Sequence, residues 1–145
     1  MAILNYTTKI DSIKTIMEIQ QCLVKHGATK IVVDYEESIP ISLTFCLSIN
    51  KMTAAFSLPC NYEGVLNAMK KDNRISRSVC SKEQALRVSW RIIKDWVIAQ
   101  MAIVESQLAE MSEVFLPYAI TKNGNTLYQD IKQHGMLMLQ ESINT

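Results

Sequence analysis

The chain has 145 residues, of which 48% are apolar and 20% are charged, and its formal net charge is +1. This length predicts a single domain, residues 1–145, with a hydrophobic core of its own, and no apolar run reaches the roughly 20 residues that cross a bilayer. Because the N-terminal residues lack a basic leader and a small-residue cleavage site, we expect a cytoplasmic protein with no membrane partner.

The first half of the chain predicts one helix and a small antiparallel sheet. Apolar residues at helical spacing indicate a helix at Ser12–His26. The β-branched run Lys30–Tyr35 and the alternating run Ile41–Ile49 predict two strands, and Met52–Leu58 predicts a returning hairpin partner. A short apolar piece at 2–6 could add a fourth, edge strand.

The second half predicts two helices and a looser tail. A short helix is expected at Tyr62–Lys71, capped by Asn61, followed by a basic loop and one long helix near residues 81–112. Pro117 favours extended structure after it, so residues 114–145 are expected to form a less regular C-terminal tail. The fold class is therefore α+β: an antiparallel sheet of three to four strands with helices on one face.

The long helix is apolar around most of its girth, which predicts burial on two sides. Its own domain can cover one side, and the simplest partner for the other is a second copy of the chain. We therefore expect a homo-oligomer interface on this helix. The residues assigned to it are Trp96, Val97, Met101, Val104, Leu108 and Met111.

Motifs for catalysis or for a resident cofactor are not found. The four cysteines are widely spaced with no CxxC pair, and no glycine-rich phosphate loop, GxSxG or HExxH occurs, so we expect no metal and no cofactor. Asp34, Glu36 and Glu37 could together hold a metal, but their position beside Pro40 favours a solvated hairpin tip. We expect a protein that is not an enzyme.

One segment carries a local excess of positive charge. Between residues 70 and 94 there are eight basic residues and two acidic ones, which indicates an anionic partner. The candidate phosphate-binding and base-binding residues are Arg74, Arg77, Arg87, Arg91, Lys94 and Trp90. The alternative is an ordinary salt-bridged surface in which Glu83 pairs with Arg87 and Arg91 pairs with Asp95, each four residues apart.

Four stretches resemble a family of small, uncharacterised proteins from phages and integrated elements of Firmicutes. They are AILNYTTKI, EIQQCLVKHGATKIVVDYE, EQALRVSWRIIKDWVIAQMAIVE, and EVFLPY followed by NGNTLYQ. The resemblance implies a mobile-element origin and no catalytic residues. Accessory proteins of such origin handle nucleic acid or block a host defence system.

The sequence leaves two main hypotheses for function. The first is a non-enzymatic accessory protein that self-associates and captures a nucleotide signal or nucleic acid, thereby counteracting host defence. The second is a protein-binding inhibitor or assembly component that docks on a host protein through its apolar surface, including the stretch GMLML at 135–139. An enzyme of unknown class is a remote third.

Overall fold

The computed structural model describes residues 3–135, which form an α+β fold. A three-stranded antiparallel sheet in the order β1-β2-β3 is combined with helices of which the third is the longest. The helices are α1 (Ser12–Lys25), α2 (Tyr62–Lys71), α3 (Lys82–Glu105), α4 (Met111–Phe115) and α5 (Leu127–Gln133), with short 3₁₀ turns at Arg77–Val79 and Leu116–Tyr118. The strands are β1 (Lys30–Glu36), β2 (Ile39–Ile49) and β3 (Met52–Pro59).

The sheet is two consecutive hairpins with tight turns, and in the first hairpin the register shifts by one residue between Asp34 and Tyr35. Glu37 and Ser38 in the first turn, and Asn50 and Lys51 in the second, all have positive φ. Two central residues with positive φ are typical of a type I′ turn, whose twist matches that of the flanking strands. The alternation predicted for Ile41–Ile49 is confirmed, because the side chains of its odd-numbered positions from 43 to 47 are buried and the even-numbered ones are not.

Helix α3 lies between the other two long helices. It contacts α1 along one flank and α2 along the other. Its residues Trp90, Val97 and Met101 are buried in the main core with the inner face of the sheet, whereas Ala85 and Val88 belong to a smaller core shared with α2. The chain itself therefore packs against the helix on both flanks, and Ile98 stays 46% exposed.

The observed helix is shorter than the sequence predicts. It has 24 residues, about 36 Å, and ends at Glu105 rather than near 112. Ser106 follows with its hydroxyl bonded to the carbonyls of Ala102 and Ile103, and Gln107 then takes a positive φ of 61°. A non-glycine residue in the left-handed region cannot continue an α-helix, so the chain turns there and restarts as α4.

Two other expectations are corrected. Ile3 to Tyr6 form no strand, so the sheet has three strands among the described residues. The segment around Pro117 is not extended but forms a 3₁₀ turn with the proline near its start, where its missing N–H costs nothing. Extended structure begins only at Ala119, which bridges to Phe56 at the outer edge of β3. Most of the stretch GMLML lies outside the described residues.

No helix in residues 3–135 is long and apolar enough to cross a membrane.

Candidate functional site

Glu18 on α1 binds two of the cations that the sequence assigned to phosphate. Its Oε2 lies 3.1 Å from Nη1 of Arg91 and 2.9 Å from Nζ of Lys94. The hydrogen bond from Lys94 is the main reason that the pKa of Glu18 lies below its ordinary value, with Arg91 adding to the effect and burial opposing it. Both cations are largely covered, with 14% and 18% of their side chains exposed. They therefore join α1 to α3 rather than present charge to a ligand.

Arg87 is engaged locally, but not by the pairing expected from spacing. Its Nε donates to Oε1 of Gln84, and no ion pair with Glu83 forms. The amide of Gln84 in turn donates to the carbonyls of Tyr6 and Thr8 at 3.0 and 2.8 Å. This side chain fastens the N-terminal segment to the start of α3. The Ser81 hydroxyl accepts a hydrogen bond from the Gln84 N–H and so caps the start of α3.

Asp95 also differs from the expected pairing. Its Oδ2 accepts a hydrogen bond of 2.8 Å from Nδ2 of Asn5, and Arg91 turns away from it toward Glu18. The salt-bridged alternative was therefore right about Arg91 being neutralised and wrong about its partner.

The remaining basic residues lie at the α2 end of the molecule. Arg74 forms a fork with Asp72, Nε to Oδ1 and Nη2 to Oδ2 both at 2.9 Å, and this holds the pKa of that carboxyl below its usual range. Arg77 is exposed and makes no ion pair within residues 3–135. Three exposed lysines lie nearby along the chain. We call this set the basic surface: Lys70, Lys71, Arg74, Arg77 and Lys82.

The basic surface is built by packing beneath it. Ile75 is buried with Met69 of α2 and with Ala85 and Val88 of α3, so the loop between the helices is anchored at its centre. Lys82 stands 5.5 Å from the ring centroid of Tyr62, a cation–π contact at the surface. The cations are thus displayed on an ordered scaffold.

Trp90 cannot stack on a base in this structure. Its side chain is fully buried in the main core, and its indole N–H has no hydrogen-bond partner among the described residues. The assignment of Trp90 to a binding site is therefore corrected, because the apolar stripe that carries it faces the sheet.

Two residues of the oligomer interface predicted on the long helix, Val97 and Met101, are corrected in the same way. Val97 and Met101 are 0% and 3% exposed and belong to the core, and Trp96 and Met111 pack against it. Val104 is half-buried. Leu108 is 77% exposed but follows the end of α3. The chain itself therefore covers the middle of the predicted stripe, whereas Ile98 on α3 is 46% exposed, and association of the helix with a second copy stays a prediction.

A trough lined by aromatic and proline side chains opens beside α3. Trp96 and Tyr118 meet edge to face with ring centroids 5.4 Å apart, at a groove of about 270 Å³. A second groove shares Pro59 and Tyr118 with the first and continues to Tyr128 on α5. We call the two together the aromatic trough. Its lining combines residues from three separate parts of the chain, so no local sequence pattern predicts it.

The carboxylates considered for metal binding do not form a compact site. Asp34 accepts a hydrogen bond from the Ser42 hydroxyl across the strands, Glu36 lies at the end of β1, and Glu37 occupies the turn. Within residues 3–135 no group of three or more His, Cys, Asp or Glu side chains is placed to hold a metal ion.

The four cysteines are free thiols in this structure. Burial raises the pKa of Cys60 to about 12 and is also the main cause of the raised pKa of Cys22. A thiolate, the reactive form, is therefore disfavoured at both positions.

Comparisons with protein-family models, with curated proteins and with solved structures find no match.

Proposed function

We propose that this protein is a non-enzymatic binding protein that captures nucleic acid through the basic surface. The observation that carries the proposal is the division of the cations: Arg91 and Lys94 are neutralised by Glu18, whereas four of the five cations of the basic surface make no ion pair within residues 3–135. Positive charge that is exposed and not internally paired is what a polyanion requires.

The shape of this region favours a polymer over a single nucleotide. The cations lie at the C-terminal end of α2, in the loop after it and at the first residue of α3, so they occupy consecutive parts of an open surface instead of converging on a closed pocket. No tryptophan lies among them, since Trp90 is buried. Contacts to successive phosphates of a backbone fit this arrangement better than stacking of one base.

The proposal is tested by fluorescence anisotropy with a labelled DNA duplex of about 20 base pairs. With four phosphate contacts, the expected slope of log K against log salt is about −3.6, so affinity should fall about a hundredfold between 50 and 200 mM salt. Absence of binding at 50 mM salt, or binding that ignores salt, would contradict the proposal.

A charge-matched pair of variants locates the contact. The double variant Lys71→Glu/Arg77→Glu should abolish most of the binding, because it reverses two cations of the basic surface. The variant Lys14→Glu/Lys122→Glu changes the net charge equally at two exposed lysines outside it. Equal loss in both variants would mean that total charge, and not this surface, governs the interaction.

The aromatic trough supports a second candidate, the binding of a protein segment. Exposed aromatic and proline side chains along a groove are typical of sites that hold an extended peptide. Selection of a random peptide library on the protein, with counter-selection on a Tyr128→Asp variant, should enrich a common motif. Tyr128 is 49% exposed, so the substitution leaves the core intact. Failure to enrich any motif would count against this candidate.

A mobile-element origin and a role against host defence remain hypotheses that rest on the resemblance described above.

A further inference from the structure

The outer edge of β1 has no strand beside it in the described part of the chain. The sheet order is β1-β2-β3, and the edge of β3 is partly occupied through the bridge between Phe56 and Ala119. A strand edge that is open along seven residues is a template for pairing with another chain.

Helix α1 carries an exposed apolar stripe. Ile13, Met17 and Val24 are 66%, 54% and 58% exposed and fall within about 40° of one another on the helical wheel. Glu18, on a different side of the same helix, faces α3. The stripe therefore lies on a different face of α1 from the one that binds α3, although Ile13, in the first turn, also lines a groove with Leu86 and Arg87 of α3. We call these three residues the outer stripe of α1.

The outer stripe lies on the β1 side of the sheet. Ile13 and Tyr35 line a common groove, which places the start of α1 beside the end of β1. The two elements are joined by only residues 26–29 and have nearly equal lengths, about 21 Å for the helix and about 23 Å for the strand. The helix thus runs back along the strand, and the free edge and the outer stripe form one surface.

The sequence of β1 is complementary to itself in one antiparallel register. If two copies pair about Val33, then Lys30 of each copy lies opposite Glu36 of the other, and Ile31 lies opposite Tyr35. The first pairing places opposite charges together at both ends, and the second makes the helix-facing side apolar throughout. Cross-strand pairs of both kinds stabilise antiparallel sheets.

We infer that the free edge of β1 and the outer stripe of α1 bind a second copy of this chain about a two-fold axis through Val33. The product is a continuous six-stranded sheet with the two α1 helices packed side by side on one face. The same rotation sets Ile13 of one copy near Val24 of the other, because these two residues lie equally far from the middle of the helix. This inference does not depend on nucleic-acid binding, since the basic surface lies on the other side of α3.

The register can be tested by exchanging charges. Sedimentation velocity from 1 to 200 µM, concentrations chosen to span a micromolar dimer, should show a concentration-dependent dimer for the native chain. Lys30→Glu and Glu36→Lys should each weaken it by about thirtyfold, because each substitution places like charges opposite one another at two symmetric positions. Both side chains are exposed, so each variant should fold, as circular dichroism would verify.

Combining the two charge substitutions, in a mixture or in one chain, distinguishes this interface from any other. An equimolar mixture of the two single variants should form a heterodimer of near-native affinity, and the double variant Lys30→Glu/Glu36→Lys should form a homodimer again. A native chain that stays monomeric at 200 µM overturns the inference. A dimer that ignores the single substitutions, or that the mixture fails to restore, overturns it as well.

The contribution of the outer stripe of α1 to dimer affinity is tested by one substitution and a matched control. Ile13→Asp should weaken the dimer at least tenfold by placing a charge in the apolar part of the interface. Ile98→Asp, at a residue of α3 that is 46% exposed, should leave it unchanged. Equal effects from the two substitutions would refute the role of the outer stripe.

Discussion

Replacement of Glu18 by glutamine should destabilise the fold through the loss of one charge that holds two helices together. The carboxylate is shared by Arg91 and Lys94 at 3.1 and 2.9 Å, and both cations are too covered to recover full hydration when it is removed. A hydrogen bond to a charged group contributes about 1.5–3 kcal/mol. Because both cations share one oxygen and the Glu18 side chain keeps 30% of its surface exposed, we expect a total loss of about 2 kcal/mol.

The loss can be measured by thermal and urea unfolding. For a chain of this size about 2 kcal/mol corresponds to a fall in Tm of about 6 °C. The matched control is Glu37→Gln, which removes an exposed carboxylate that makes no salt bridge within residues 3–135 and should change stability by less than about 0.5 kcal/mol. Nucleic-acid binding should not weaken in Glu18→Gln, because the basic surface is unaltered.

The same interaction predicts a pH dependence with a definite sign. The folded-state pKa of Glu18 is lowered from its ordinary value of 4.5, so its stabilisation is present above that value and is lost as the pH falls through the lowered folded-state pKa. The difference between the native chain and Glu18→Gln should therefore shrink in acid. A difference that is absent at pH 7, or that persists undiminished below pH 3, would refute this account of the pair.

Three further predictions concern single residues. Cys60, whose pKa is raised to about 12 by burial, should resist a thiol reagent at pH 8 until the protein is unfolded, whereas half-buried Cys80 should react in the native state. Mass spectrometry of the labelled peptides measures this order, and labelling of Cys60 before Cys80 would contradict it. Gly27→Ala should cost about 1 kcal/mol in urea unfolding, since Gly27 has a φ of 105° at the end of α1, and an unchanged midpoint would contradict the strain argument. Trp90→Phe should leave nucleic-acid affinity unchanged, because Trp90 is fully buried; a tenfold loss with the fold intact would return this residue to the binding site.

The sequence was most informative where structure is local. The helix at Tyr62–Lys71, its cap at Asn61 and the three consecutive strands follow from periodicity and turn chemistry between near neighbours, and all are confirmed. The predicted ends of these elements differ from the observed ends by at most two residues. The sequence pattern did not predict two short elements, the turn around Pro117 and the helix at Leu127–Gln133. Their patterns are too weak to decide between helix and strand.

The candidate site was predicted less well, because contacts between distant parts of the chain decide it. Arg77 and Arg74 were found from local charge, but Lys70, Lys71 and Lys82 were noticed only as part of that charge and not as site residues. Arg91 and Lys94 looked available because their partner, Glu18, is more than seventy residues away.

The amino-acid sequence by itself determined that this is an α+β chain with one long, mostly apolar helix and a local excess of positive charge. Periodicity reveals which faces of a helix avoid water, because it depends on residues a few positions apart. It does not reveal what covers those faces. Tertiary structure alone decided that α1, α2 and the sheet pack against α3, that Trp90 belongs to the core, and that α1 keeps an exposed apolar stripe of its own. The physical reason is that burial depends on which elements pack together. The elements that pack against α3 are distant from it in the sequence, so local periodicity does not identify them.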